Sequence, residues 1–321
     1  MQLSIERMLP RKLSLPRGAG LWIALFVLIV ASSLLSPLFL NGTNLLNVLR
    51  QVALYGILGV GMTFVILTRG IDLSVGMVLS FSAVLGARLM QNGYPILAVM
   101  VCGLAAGTVF GAFNGLGVAL WRMPAFIMTL GTMVMTRGLC LMVARGGPVD
   151  PGPRVESFRM LGGGYLLHVP TPIYVFAAVC LVAHAILNHT TFGRAVFAVG
   201  SNEEAARLSG INVAITTFAV YVICGLLAGL SGLIFLSRLS VGDPNTGTGM
   251  ELEAISIAVI GGTSLFGGEG SVVGAVGGAM ILAIIANVLN LAGVSTFSQQ
   301  VVKGAIIILA VLVETVRTRR A

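Results

Sequence analysis

Long apolar segments recur along the whole 321-residue sequence, and this recurrence constrains the fold more than any other feature. Hydrophobic residues make up 57% of the chain and charged residues only 9%, whereas about 25% of the residues of soluble domains are charged. A helix needs roughly 20 apolar residues to cross a bilayer. We therefore predict an all-α polytopic membrane protein with about ten transmembrane helices, near residues 21–40, 51–68, 73–90, 95–120, 124–143, 171–188, 213–238, 252–267, 271–291 and 298–316.

Basic residues at the two ends of the chain predict its orientation. We interpret residues 1–20 as an N-terminal tail, 21–316 as the transmembrane domain and 317–321 as a C-terminal tail. An even number of spans places both tails on one side, and the positive-inside rule makes that side the cytoplasm. The net charge of +8 forms no basic face of the kind that binds nucleic acid. The basic residues of the tails are Arg7, Arg11, Lys12, Arg17, Arg317, Arg319 and Arg320.

One sizeable polar segment, Thr191–Val213, separates the apolar segments of the second half, and we call it the polar island. Ser201 begins a capping-box pattern, so we predict Ser201 as the N-cap of a helix over about 202–209. Gly210 is predicted to end this helix in a left-handed backbone conformation, which we call a left-handed stop. Glu203 and Arg207 would then lie one turn apart. A helix this short is unstable alone in water, so it is expected to dock on another structure.

Two breaks interrupt the apolar pattern, at residues 69–76 and 261–270. Asp72 is predicted to cap the helix that follows it, with Arg69 as a possible partner. The open alternative is functional, because ionisable groups at membrane depth often serve transport. Lys303, near the start of the last span, is expected to snorkel outward.

Two short segments also share a pattern and raise the possibility of an inverted internal repeat. Both residues 66–76 and residues 234–243 place Ser or Thr before Arg and then continue with Leu-Ser-Val-Gly. They lie five predicted spans apart, so one unit would be inverted relative to the other, an arrangement common in transporters. A chance match between segments this short remains the alternative.

Motifs for nucleotide or metal chemistry are missing from the sequence. The two lysines, Lys12 and Lys303, do not follow a phosphate-binding glycine pattern. The three histidines have no ligand spacing, and no catalytic constellation can be assembled. We therefore expect neither an enzyme nor a cofactor. Uphill transport would need an ion gradient or the ATPase activity of another chain.

The chain resembles the membrane-spanning permeases of ribose-type ABC sugar importers, within the branched-chain amino acid/ribose permease superfamily. The resemblance rests on motifs that occur in order from the first predicted span to the last. At Ser201 the family often has Gly, and at Glu253 it often has Asp. The matching segments are 61–63 (GMT), 70–76 (GIDLSVG), 124–130 (PAFIMTL), 137–138 (RG), 200–211 (GSNEEAARLSGI), 251–255 (ELEAI) and 259–265 (VIGGTSL).

This resemblance implies a function, partners and a location in the bacterial inner membrane. It implies a homodimer of permeases, a cytoplasmic ATPase subunit with two nucleotide-binding modules, and a periplasmic sugar-binding protein. The short helix of the polar island, at about 201–210, would be the coupling helix that docks in the ATPase. Its implied coupling residues are Ser201, Asn202, Glu203, Glu204, Ala206, Arg207, Ser209 and Gly210.

Several questions stay open at this point. The solute could be a pentose, a hexose or a polyol. Asp72, Ser74, Thr263 and Ser264 are candidates for the translocation pathway, although structural roles are the favoured explanation for them. An ion-coupled secondary transporter, with Asp72 as its titrating carboxylate, is the alternative function. A membrane scaffold or receptor that moves no solute is a third.

Overall fold

The structure is a computed structural model that describes residues 19–318. Most of this range is helical, and the two strands form one short antiparallel hairpin. The predicted basic tail residues Arg7, Arg11, Lys12, Arg17, Arg319 and Arg320 lie outside the described residues. The elements are α1 (Ala19–Leu35), α2 (Gly42–Leu67), α3 (Val75–Gln91), α4 (Ile96–Ala119), α5 (Ala125–Ala144), α6 (Val155–Phe158), β1 (Tyr165–Leu166), β2 (Val169–Pro170), α7 (Thr171–His189), α8 (Thr191–Ser201), α9 (Glu203–Leu208), α10 (Val213–Leu239), α11 (Met250–Ile260), α12 (Val272–Leu291) and α13 (Thr296–Thr318).

Every predicted span contains a helix, but not every one of these helices is long enough to cross a membrane. Within residues 19–318, six helices are both long and apolar enough: α2, α4, α5, α7, α10 and α12. The apolar helices α1 and α3 are shorter, with 17 residues each. The predicted span 252–267 is replaced by the 11-residue α11, about 16 Å long at 1.5 Å per residue, followed by a turn. Gly262, Gly267 and Gly268 adopt positive φ angles in that turn, which ends the helix early.

Helices α2 and α10 form the centre of the bundle. Nearly every residue of α2 from Val52 to Leu67 is buried, and α10 is buried along most of its length. Helices α3, α4, α11 and α12 surround this pair. By contrast, α4 and α7 each expose one apolar face, as expected for helices that contact lipid. Burial therefore separates inner helices from outer ones, which hydropathy alone cannot do.

Glycines allow α4 and α10 to approach at backbone distance. Gly103, Gly107 and Gly111 recur every four residues on α4, opposite Gly225 and Gly229 on α10. A β-carbon on Gly107 would lie 2.8 Å from the Cα of Gly229, so no larger residue fits. Such small-residue spacing is a common basis of helix packing in membranes, where the hydrophobic effect adds little.

The longest connection, between α5 and α7, forms a structured cap at the end of the bundle opposite the polar island. The sequence predicts a short helix over about 155–160, and α6 confirms it at Val155–Phe158. Ser237 of α10 holds this segment, because its hydroxyl donates to the Phe158 carbonyl at 2.5 Å and accepts from the Gly162 N–H at 2.8 Å. The connection is therefore packed onto the helices.

Candidate functional site

The polar island folds into α8 and α9, and the residue between them determines where α9 begins. Asn202 has an extended backbone (φ −159°), and its Oδ1 accepts a hydrogen bond of 2.9 Å from the Ala205 N–H. Asn202 is therefore the N-cap of α9. Ser201 instead ends α8, and its hydroxyl donates to the Phe197 carbonyl at 2.9 Å. The prediction that Ser201 is the cap was wrong because α8 continues through that residue.

Helix α9 is held on one side and presents polar and apolar groups on the other. Ala206 is 3% exposed and anchors the helix. Arg207 lies 2.7 Å from Glu203 across one turn, which confirms the predicted pair, and both side chains are about half exposed. Gly210 has φ +82°, which confirms the predicted left-handed stop. Leu208 is 81% exposed, a feature that the sequence analysis missed although an apolar residue in a polar segment could have signalled it.

A cavity of about 660 Å³ lies beside α9. Glu203 and Arg207 line it together with Arg122 from the α4–α5 connection and with residues that begin α10. The cavity therefore joins the polar island to the ends of α2, α4, α5 and α10, and its charged lining suits contact with water or with another polar surface.

Arg69 connects the polar island to the end of α2. Its Nε donates to the Gly200 carbonyl at 2.7 Å, and its NH2 group donates to the Ser201 carbonyl at 2.6 Å. The suggested pairing of Arg69 with Asp72 was wrong, because the guanidinium points to the carbonyl end of α8. Cationic groups are favoured there by the helix dipole and by the unsatisfied carbonyls.

The α11–α12 turn meets the same place, so three segments converge. The Gly268 N–H donates to the Leu67 carbonyl at 3.0 Å. A β-carbon on Gly200 would collide with that carbonyl, and one on Gly268 would collide with the Ser201 hydroxyl. We call this contact of Leu67, Arg69, Gly200, Ser201, Gly267 and Gly268 the junction. Its glycines leave no free volume between the three backbones.

Asp72 is buried in the α2–α3 connection and is bonded locally. One oxygen, Oδ1, accepts from the Ser74 N–H at 2.9 Å and from the Ser74 hydroxyl at 2.6 Å. Asn114 of α4 approaches the carboxylate at 3.3 Å and bonds the Ser74 hydroxyl at 2.8 Å. Ser74 directly precedes α3 but its side chain caps no N–H of the helix, whereas Asp72, the predicted cap, accepts from the Ser74 N–H at the start of the turn. Asp72 thus orders the turn before α3 and ties it to α4.

The four pathway candidates lie in two separate buried places. Asp72 and Ser74 share the cluster with Asn114, whereas Thr263 and Ser264 are buried in the α11–α12 turn. The Ser264 N–H donates to the Glu269 carbonyl at 2.8 Å within that turn. None of the four lines the cavity beside α9.

A second cavity, of about 510 Å³, lies among α2, α11, α13 and the segment before α11, and we call it the membrane cavity. Glu253 and Lys303 form an ion pair on its wall, with side chains 18% and 31% exposed. The expectation that Lys303 snorkels outward was wrong, because the glutamate on α11 holds it against the bundle. Tyr55, halfway along α2, borders the same space.

Comparison with known proteins identifies the family. The family model described as "Branched-chain amino acid transport system / permease component" matches residues 44–311. The ribose import permease protein RbsC of Escherichia coli K12 is 46% identical over 294 residues, covering 91% of this chain and 92% of the relative. RbsC of Bacillus subtilis is 44% identical, with 92% of each chain covered.

The xylose transport system permease protein XylH of E. coli K12 is 36% identical, covering 88% of this chain and 87% of the relative. No solved structure matches the chain. The chain therefore belongs to the family of permease components of branched-chain amino acid transport systems, and it is a multi-pass membrane permease subunit, not an enzyme.

Proposed function

We propose that this chain is the inner-membrane subunit of an ATP-binding-cassette importer that moves a pentose, with ribose as the first candidate. The observation that carries the proposal is 46% identity to a ribose import permease across 91% of the chain. The lower identity to a xylose permease, 36%, makes xylose the second candidate. A periplasmic binding protein delivers the sugar, and a separate two-module subunit hydrolyses ATP.

In this proposal α9 is the coupling helix that docks in the ATPase. Its six residues are too few to be stable alone, and the exposed Leu208 offers an apolar contact to a partner. Around Leu208, the charged side chains of Glu203, Glu204 and Arg207 can pair with opposite charges on the ATPase. The coupling residues are those expected from the sequence: Ser201, Asn202, Glu203, Glu204, Ala206, Arg207, Ser209 and Gly210.

The same proposal includes ten membrane passes with both termini in the cytoplasm, on the α9 side, and two copies of the permease. An inverted repeat is supported by similar helix endings. Both α2 and α10 are long central helices, and each is followed by a left-handed residue, Arg69 (φ 63°) and Ser240 (φ 55°). After each break a shorter helix begins, α3 or α11.

The junction supplies a physical route from ATP binding to the pathway. When the ATPase closes, α9 moves with it, and only one extended residue, Asn202, separates α9 from α8. Because the junction has no free volume, a displaced α8 must displace the ends of α2 and the α11–α12 turn as well. A shift between two packings then opens the pathway on the other side.

Asp72, Ser74, Thr263 and Ser264 stay proposed pathway residues. All four are buried in this conformation, so they would meet the solute only after the helices repack. An ion-coupled transporter is less favoured, because the Asp72 carboxylate is held by hydrogen bonds from Ser74 in the same turn and from Asn114 of α4.

Reconstitution with the ATPase and the binding protein tests the function. We expect ribose uptake into proteoliposomes that requires ATP and persists with a protonophore. Uptake that needs no ATP and stops with the protonophore would show the ion-coupled alternative instead.

The variant Glu203→Lys tests the coupling helix in the same system. It reverses the charge beside Arg207, so we expect loss of ATPase co-purification with the permease still folded. Glu156→Lys is the matched control, because Glu156 is also an exposed acid paired with an arginine, Arg159, but lies at the opposite end. Equal ATPase retention in both variants would refute the coupling assignment.

A further inference from the structure

The membrane cavity has a lining unlike the surrounding helices. Its polar groups converge from four segments, whereas much of the rest of α2 and α11 packs into the hydrophobic core. Its volume of about 510 Å³ lies within the range of about 300–1,000 Å³ that is common for small-molecule sites. The hydrogen-bonding residues on its wall are Tyr55, Thr246, Thr248, Glu253, Ser256, Gln300 and Lys303.

The position of the ion pair favours a cavity that is filled with water and not with lipid. Tyr55, which borders the cavity, is midway along α2, a helix that spans the membrane. Charged groups at this depth are costly against lipid and almost always face the bundle interior or an aqueous space. Because Glu253 and Lys303 are only partly buried, their remaining surface faces the cavity itself.

The chain also breaks its helical course here. Helix α11 begins beside the cavity after a non-helical segment that contributes Thr246 and Thr248. Interrupted helices at membrane depth leave backbone groups free to meet a solute, and irregular backbone is tolerated there only when it lines a cavity or is buried in protein. The cavity therefore explains why an interrupted backbone is tolerated here, and the interruption explains how Thr246 and Thr248 reach the cavity wall.

We propose that the membrane cavity is a transient binding station for a neutral polyhydroxylated solute. The Glu253 carboxylate accepts hydrogen bonds from hydroxyl groups, the Lys303 ammonium and the Gln300 amide donate them, and Thr248 does both. The two charges cancel, so the station favours neither an anion nor a cation. This inference rests on the proposed sugar transport, and its residues are different from the four pathway candidates predicted from the sequence.

Cysteine labelling in the assembled complex tests the inference. In nanodiscs with the ATPase and the binding protein, Thr248→Cys should react with a charged, membrane-impermeant thiol reagent. Ribose should slow the reaction when present at about 100 mM, a concentration suited to a station that binds weakly. Ribose 5-phosphate at equal concentration should not slow it, because the station has no net charge.

The cysteine-labelling experiment needs two controls. Val109→Cys lies midway along α4 on its exposed apolar face, 64% exposed, and should react only with a lipid-soluble reagent. The unchanged chain, with its four free cysteines, provides the background. Labelling of Thr248→Cys by the lipid-soluble reagent alone, or equal protection by both solutes, would overturn the proposal.

Charge neutralisation gives an independent measurement. Glu253→Gln combined with Lys303→Gln removes both charges and leaves no unpaired ion, so the fold is retained. We expect ribose uptake to fall about tenfold while ATP hydrolysis stimulated by the binding protein stays within about twofold, since only a contact with solute is lost. Wild-type uptake in this double variant would overturn the proposed binding station and leave the proposed importer function intact. Absent uptake in the unchanged complex would instead overturn the proposed importer function.

Discussion

The junction and the membrane cavity both contain charged side chains, but they use them in opposite ways. At the junction, the donors of Arg69 are occupied by two backbone carbonyls, and glycines remove the space around them. In the cavity, Glu253 and Lys303 pair with each other and still face an open volume. The fold is therefore closely packed at the place where the proposed displacement would be passed on, and it has free volume at the place proposed for the solute.

The largest effect is expected from Arg69→Gln, which removes the two hydrogen bonds of Arg69 at the junction. Hydrogen bonds of a charged group are worth about 1.5–3 kcal/mol each, so loss of two should reduce ATP-driven uptake by at least about tenfold. ATP hydrolysis should continue, because the ATPase itself is unchanged. Uptake and hydrolysis measured together in proteoliposomes give the coupling ratio.

Arg88→Gln is the matched control for Arg69→Gln. Arg88 also donates two hydrogen bonds to a backbone carbonyl, that of Val143, but it lies on α3 far from the polar island. A similar fall in the coupling ratio in both variants would mean that arginine bonds matter only for general stability.

Gly200→Ala should have the next largest effect. Its β-carbon would collide with the Leu67 carbonyl, and overpacking of this kind costs about 1–3 kcal/mol. We expect a lower midpoint of thermal unfolding in detergent. Gly131→Ala on α5 is the control, since nothing lies within 4 Å of the position that its methyl group would take and alanine favours the helix. Equal midpoints for the two variants would show that the junction can relax.

Asp72→Asn should have a smaller effect and sharpens the contrast with Glu253. An asparagine oxygen can still accept from the Ser74 N–H, so the turn is retained and uptake should stay within about threefold of wild type. ATP-driven uptake of ribose is the measurement. Abolished uptake with a normally folded protein would instead support a titrating carboxylate and the ion-coupled alternative.

Asn202→Ala should have the smallest effect, limited to α9. Loss of an N-cap costs about 0.5–2 kcal/mol, so amide hydrogen exchange in α9 should accelerate while the membrane helices keep their protection. Ser201→Ala should leave the exchange of α9 nearly unchanged, because Ser201 bonds backward to Phe197. The reverse ranking would restore Ser201 as the cap.

Much of the helical architecture could be predicted from sequence, because hydropathy and glycine breaks are local signals. Helices occur at all ten predicted positions, yet the length of α11 could not be predicted, since the turn after it depends on contacts with Leu67 and Gly200. At the candidate coupling site, the stop at Gly210 and the pair of Glu203 with Arg207 followed from spacing. The N-cap residue could not be predicted from spacing, because Ser201 and Asn202 are both good N-caps and tertiary contacts decide between them.

Local sequence patterns were enough to predict a helical membrane protein with a polar island, because apolar length and capping chemistry act over a few residues. The contact of Arg69 with the end of α8, and that of Glu253 with Lys303, 50 residues away, could be seen only in the folded chain. These contacts join segments that are distant in the chain. Their formation depends on which helices pack together, and helix packing follows from shape and small-residue surfaces that no local pattern specifies.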